Sequence, residues 1–456
     1  MRPHALAPAL LALALAACGG AGGGGTTPDP GWAVLPMNDG ASGWEPWVYR
    51  AGELTLLADL HAGTPSSLPG DLRVLGDRAV FCASTAAGRA PWITDGTPGG
   101  TRAITSASGA GCGALAIVGA RAYLAWDTGA GLEPWVTDGT AAGTASLGEL
   151  AAGASGSSPH GFAACGALVC FVAQDAQGRH ALFATDGTAA GTHPLTDPAA
   201  WNGEPLGLTT AGGRTFFTAS TAAAGREPWA SDGTVAGTGQ VLDLAPGPAG
   251  SSPAGFTALG GAVLFEADDG ESGLELWRSD GTGAGTALLV DLWPGPESGD
   301  PHALVRFGER VAFVARDEDD GYQLWTSDGT AAGTAEVGVI SPGGSRITEL
   351  AAHGGQLWFS VDDYVHGPEL WTSDGTAAGT RMVVDAVRGG DGTWPVPLEV
   401  LAGAGVVAIV VPTHDLLYAA DDGTHGLELW RSDGTVSGTG MVADLWTGLP
   451  PGILVP

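Results

Sequence analysis

The sequence contains no lysine. Its 18 basic residues are all arginine and stand against 49 acidic ones, giving a formal net charge of −31. A field of that sign repels phosphate backbones, which argues against nucleic acid and suits cations or basic partners. Only 15% of the 456 residues are charged, too few for the solvent-facing sides of helical bundles. Cysteine is scarce as well, with five residues. No CxxC pair, HExxH or GxSxG occurs, so the common zinc, metalloprotease and serine-hydrolase signals are absent. What the chain has instead is turn-formers, 77 Gly and 30 Pro.

The turns are periodic. Leu274-Glu275-Leu276-Trp277-Arg278-Ser279-Asp280-Gly281-Thr282 and the closing Gly285-Thr286 recur in near copies around Trp325, Trp371 and Trp430. Looser copies surround Trp135 and Trp229, and the aromatic position continues at Trp47, Trp92 and Phe183. Successive gaps run from 43 to 48 residues, widening to 59 before Trp430. A fixed period in the forties with internal turns indicates a blade array. On these residues the chain resembles the ELWxxDGT-repeat family of secreted bacterial proteins. The resemblance covers nearly all of the chain after its leader, and it implies architecture without implying an activity.

Within one unit the pattern predicts four strands, at 256–259, 262–267, 274–279 and 287–292, separated by Gly260-Gly261, Asp268-Asp269-Gly270 and the Asp280-Gly281-Thr282 loop. Four antiparallel strands per unit of this length make a propeller blade. The expected fold is therefore all-β, a single β-propeller of four-stranded antiparallel blades. Nine blades are expected, with eight and one displaced unit as the alternative. An extended β-solenoid is the runner-up architecture. The first unit aligns from Gly31 onward and lacks its first strand, while the last residues, Pro451-Gly452-Ile453-Leu454-Val455-Pro456, resemble the missing one. The C-terminal strand is thus expected to close the ring, removing two free sheet edges.

Residues 1–17 read as a leader, with Arg2 followed by a short apolar run, and Leu15-Ala16-Ala17-Cys18 matches a lipobox. Cys18 is the expected lipidation site and residues 18–30 a Gly-rich tether, with 31–456 forming the propeller. The expected location is the bacterial envelope, anchored to the membrane by lipid, with the outer membrane or cell surface favoured. Cys82, Cys112, Cys165 and Cys170 remain, and an exported protein permits disulfides among them. Cys165 and Cys170 would sit at a diagonal across a hairpin, Cys82 and Cys112 would have to join neighbouring blades, and four free thiols stay open as the other reading.

Residues that repeat in every unit are expected to pack. The repeat Trp should fill the wedge between blades, and the Glu two residues earlier should accept structural hydrogen bonds. In the Asp-Gly-Thr turn, Asp should accept backbone N–H groups, Gly supply positive φ and Thr cap the next strand. Function should show where the repeat is broken. The hairpin between the second and third strands is acidic in blades six (Asp268, Asp269, Glu271), seven (Asp317, Glu318, Asp319, Asp320), eight (Asp362, Asp363) and nine (Asp421, Asp422). Blades two to five carry only Asp127 and Asp175 there. His366 and His425 occupy equivalent positions in blades eight and nine. The arc predicts a divalent-cation or basic-partner site, with calcium as the candidate cofactor on Asp268, Asp269, Asp319, Asp320, Asp362, Asp363, Asp421 and Asp422. No catalytic residues are expected. The chain reads as a non-enzymatic binding scaffold for an unidentified protein or polysaccharide partner, with a polysaccharide lyase or glycosidase, or a calcium-dependent adhesin, as alternatives. An enzyme would be marked by a carboxylate pair, or a His with an acid, near the axis and unique to one or two blades.

Overall fold

The computed structural model describes residues 32–153, 155–318, 321–340, 346–385, 395–397 and 415–444. The chain is a nine-bladed β-propeller: nine antiparallel sheets follow one another in sequence, with almost no helix. The eight-blade alternative is not met, and neither is the solenoid. In blade six the strands are Ala254–Leu259, Ala262–Asp268, Leu274–Ser279 and Ala287–Val290, paired in that order. Blade one shows three described strands, Ala33–Asn38, Trp44–Arg50 and Glu53–Leu56. The hexapeptide expected to complete it, like the leader, the tether and Cys18, lies outside the described residues.

Alternating burial makes each sheet apolar on both faces, so a blade is stable only between two neighbours. The core is accordingly divided into nine clusters, each spanning two adjacent blades. The cluster that joins Ala33, Leu35, Met37 and Tyr49 of blade one to Leu417, Ala419 and Leu429 of blade nine closes the ring. Every repeat aromatic enters the cluster it shares with the preceding blade. Trp277 does so beside Phe265, its directly paired neighbour, and Trp325 repeats the arrangement with Phe313. The wedge role expected of the Trp is what the structure shows.

In blades one, three, five and six the third strand is tied to the crossover leading into the next blade by the repeat Glu. Fully buried Glu227 accepts from the amides of Leu244, Ala245 and Ser251 and from the Ser251 hydroxyl, at 2.6 to 3.2 Å. Glu45, Glu133 and Glu275 do the same in their blades. Blade seven carries Gln323 instead, and its Oε1 accepts from the Ile340 amide at 2.9 Å.

The first strand is innermost, because first strands of neighbouring blades lie against one another. In blades two to eight this strand carries a β-bulge, seen as a register shift such as that between His302 and Val305. A bulge turns side chains out of the regular alternation. Its left-handed residue is Gly161, Gly207 or Gly255 in three blades, Ala114 or Ala303 in two, and a carboxylate, Asp71 or Glu349, in the remaining two. Two disulfides complete the frame. Cys165–Cys170 closes the first hairpin of blade four, and Cys82–Cys112 joins blade two to blade three.

Candidate functional site

The Asp-Gly-Thr turns and the acidic hairpins lie at opposite ends of the blades, since successive connections alternate ends. The turns are structural. Asp280 Oδ1 accepts from the Thr282 amide at 2.9 Å and its hydroxyl at 2.7 Å, and Thr286 donates to the Thr282 carbonyl. These bonds pull the Asp280 carboxyl below its ordinary range.

The acidic hairpins use their carboxylates internally. Asp268 accepts from Gly270, and Asp269 from the amides of Glu271 and Ser272. Asp362 and Asp363 accept from Tyr364, Val365 and His366, and Asp421 and Asp422 repeat this with Gly423, Thr424 and His425. His366 and His425 each place Nδ1 2.7 Å from the Asp three residues earlier, and that contact holds both imidazoles above their usual range. Each expected ligand pair therefore serves its own loop. Among the described residues no group of three or more His, Cys, Asp or Glu is gathered for a metal, and Asp319 and Asp320 lie outside them.

The structure instead brings together groups on the inner strands that sequence reasoning passed over. Glu266 lies on the second strand of blade six, His302 opens the first strand of blade seven, and Asp300 precedes that strand by two residues. Glu266 makes no hydrogen bond or ion pair among the described residues. Burial, and then the charge of Asp300, push its carboxyl up to about 7. Asp300 accepts from the Tyr322 hydroxyl, and Tyr322 is raised to about 12 by burial and by that bond. The Arg316 guanidinium lies over Trp293 at 5.0 Å and Tyr322 at 5.6 Å, while the His302 ring meets Tyr322 edge-on at 5.4 Å. In the other blades the position of Glu266, opposite the residue before the repeat aromatic, holds Pro36, Cys82, Ala125, Val172, Thr218, Val314, Ser360 or Ala419. One charged residue among nine equivalent strand positions was the signal that could have found it.

A second group spans blades four and five. His160, at the head of its first strand, stands 2.6 Å from Glu204 through Nε2 and 3.0 Å from the Ser158 carbonyl through Nδ1. Burial works against the imidazolium, but the two oxygens outweigh it and hold His160 above its usual range. Glu204 is held low by His160 first, and then by the more distant His180 and Arg226. Both kinds of pair anticipated from the sequence, two carboxylates and a His with an acid, thus occur in the ring, each with one member in the segment that leads into a first strand.

No family model matches the chain, and no curated protein matches it in sequence. Solved structures do. A puromycin hydrolase is 14% identical, with a TM-score of 0.42 over 78% of this chain and 58% of that one. A prolyl endopeptidase is 10% identical, with a TM-score of 0.44 over 69% and 50%. Oligopeptidase B from Trypanosoma brucei is 12% identical, with a TM-score of 0.41 over 69% and 48%. The chain spans about half the length of these peptidases, and at such identities no catalytic residue is carried across. The expectation of a non-enzymatic binding scaffold is corrected at this point, because the three solved structures named are peptidases.

Proposed function

We propose that the ring serves peptide hydrolysis, and that an extended peptide meets Glu266 at the axial mouth over blades six and seven. The observation that carries this reading is the unbonded Glu266 carboxyl, ionising near neutrality beside Asp300 and occurring in one blade alone. A group with that pKa exchanges protons most readily at a neutral working pH. Ionised Glu266 takes a proton from water as its oxygen adds to the peptide carbonyl. It then returns that proton to the departing amine, so that one water and one amide bond give one acid and one amine. Asp300, fixed by Tyr322, keeps Glu266 basic, and Arg316 supplies positive charge for the oxyanion. The acidic hairpins of blades six, eight and nine surround the same end of the ring and suit a substrate bearing basic side chains.

The location follows the leader: we propose a lipid anchor on Cys18 and a place at the bacterial envelope, which incorporation of a palmitate analogue by wild type and its loss in Cys18→Ser would support. The activity is tested with internally quenched peptides, some containing Arg and others with neutral replacements. Cleavage of the basic set at least tenfold faster, lost in Glu266→Gln without a fall in melting temperature, is the expected result. Absence of cleavage in wild type refutes the reading.

A further inference from the structure

Blade three is thin where its neighbours are not. Its first strand opens with Gly111-Cys112-Gly113-Ala114, and these small residues leave a cavity of about 340 Å³ between blades two and four. Ala114, Ala125, Leu132 and Pro159 give it apolar walls, and its two cationic members are Arg89 and His160. Arg89 is anchored by Nε to the Cys112 carbonyl and by Nη1 to the Leu68 carbonyl, both at 3.0 Å. Its Nη2 has no hydrogen-bond partner among the described residues. Asp71, whose charge acts on Arg89, accepts from the amides of Ala114 and Leu115, and burial keeps it above its ordinary range. His160 is already engaged, through Nε2 by Glu204 and through Nδ1 by the Ser158 carbonyl. In a chain of net charge −31, a guanidinium with an open Nη2 at an apolar cavity is a departure that requires placement.

We propose that this cavity is a subsite for a carboxylate borne on a small apolar residue, namely the C-terminal residue of a peptide. The proposal rests on the peptide reading above and gives it a direction. A free carboxylate is drawn to the Arg89 end, where a forked guanidinium with an open Nη2 is suited to it. The short side chain fills the apolar space, and the rest of the peptide runs toward the acidic blades. The guanidinium prefers the acid to a neutral amide, because a charged acceptor makes the stronger hydrogen bond.

The test uses small probes that need no other part of the ring. N-acetylalanine and N-acetylalaninamide are titrated into the folded protein and followed calorimetrically. The acid is expected to bind at least tenfold more tightly than the amide. Arg89→Gln should reduce that preference to less than threefold, and Leu132→Trp, which fills the cavity without changing charge, should abolish binding of the acid at an unchanged melting temperature. Equal affinity for acid and amide, failure of both to bind, or an undiminished preference in Leu132→Trp overturns the proposal. If that happens while basic peptides are still cleaved in a Glu266-dependent way, the peptide reading survives and only the subsite is lost.

Discussion

A methyl group on Gly285 would lie 2.2 Å from the Asp280 carboxyl. The same overlap, at 1.9 to 2.2 Å, recurs at Gly100, Gly143, Gly191, Gly237, Gly333, Gly379 and Gly438, each over the Asp five residues earlier. The second glycine of the repeat is therefore required by space and not by φ. Gly285→Ala must displace Asp280 and forfeit its two bonds to Thr282, at about 1 kcal/mol each. Blade two supplies the control, since Gly99 has open space where Gly100 meets Asp95. Gly100→Ala should lower stability by about 2 kcal/mol, and Gly99→Ala should leave it unchanged or raise it by about 0.5 kcal/mol. Urea melts of the two variants check this.

Removal of a repeat Glu should be more damaging than any surface change. Glu227→Ala leaves the amides of Leu244, Ala245 and Ser251 without their acceptor, at about 1–3 kcal/mol for each buried donor. A loss of about 3–5 kcal/mol is expected. Gln323→Ala in blade seven, which releases the Ile340 amide, should cost about 1 kcal/mol. Similar losses in the two variants would show that the carboxylate is not the tie between blades.

The two disulfides should differ in weight. Cys82–Cys112 closes a separation of 30 residues across two blades, and Cys165–Cys170 one of 5 within a hairpin. Loop-closure entropy assigns about 4 kcal/mol to the first and about 2 kcal/mol to the second. Cys82→Ser should therefore lower the melting temperature more than Cys165→Ser, measured by calorimetry under oxidising conditions.

Much of the architecture was legible because the repeat states its packing requirements in blade after blade. Trp277, Glu275 and Asp280 recur with fixed spacing, so strand order, wedge and turn follow from one unit. Cys165 and Cys170 were placed by the same register. The site was less legible. Loops attracted attention because Asp268, Asp269, Asp362 and Asp363 are conspicuous in sequence, and in the fold one oxygen of each accepts from amides of its own hairpin. Glu266 is hidden in the strand Ala262–Asp268, where one acid within an apolar run looks like repeat drift. The charge that acts on it comes from Asp300, which precedes the first strand of another blade and is held there by Tyr322. Only folding brings the two carboxyls within range of each other.

Glu266 should also shape the dependence of stability on pH. Its carboxyl ionises near 4.5 when exposed and near 7 in the ring, so the folded chain holds the proton longer. Stability from this group is full below about pH 4.5, declines as pH rises to about 7 and stays low above it, with a ceiling of about 3 kcal/mol. Glu266→Gln should flatten that decline and raise the melting temperature at pH 8 relative to wild type. Parallel wild-type and variant curves from pH 4.5 to 8 would show that the carboxyl is not perturbed.

The pH–rate profile of peptide cleavage, measured for wild type and Glu266→Gln over pH 5 to 9, tests the central claim most directly. The wild type should show a rising limb with an apparent pKa near 7, the signature of Glu266 ionising to act as base. The variant should lose that limb and at least a hundredfold in kcat while remaining folded. A wild-type profile that is flat through pH 7, or a variant that retains the limb, would contradict the assignment of Glu266 as the proton-transferring group.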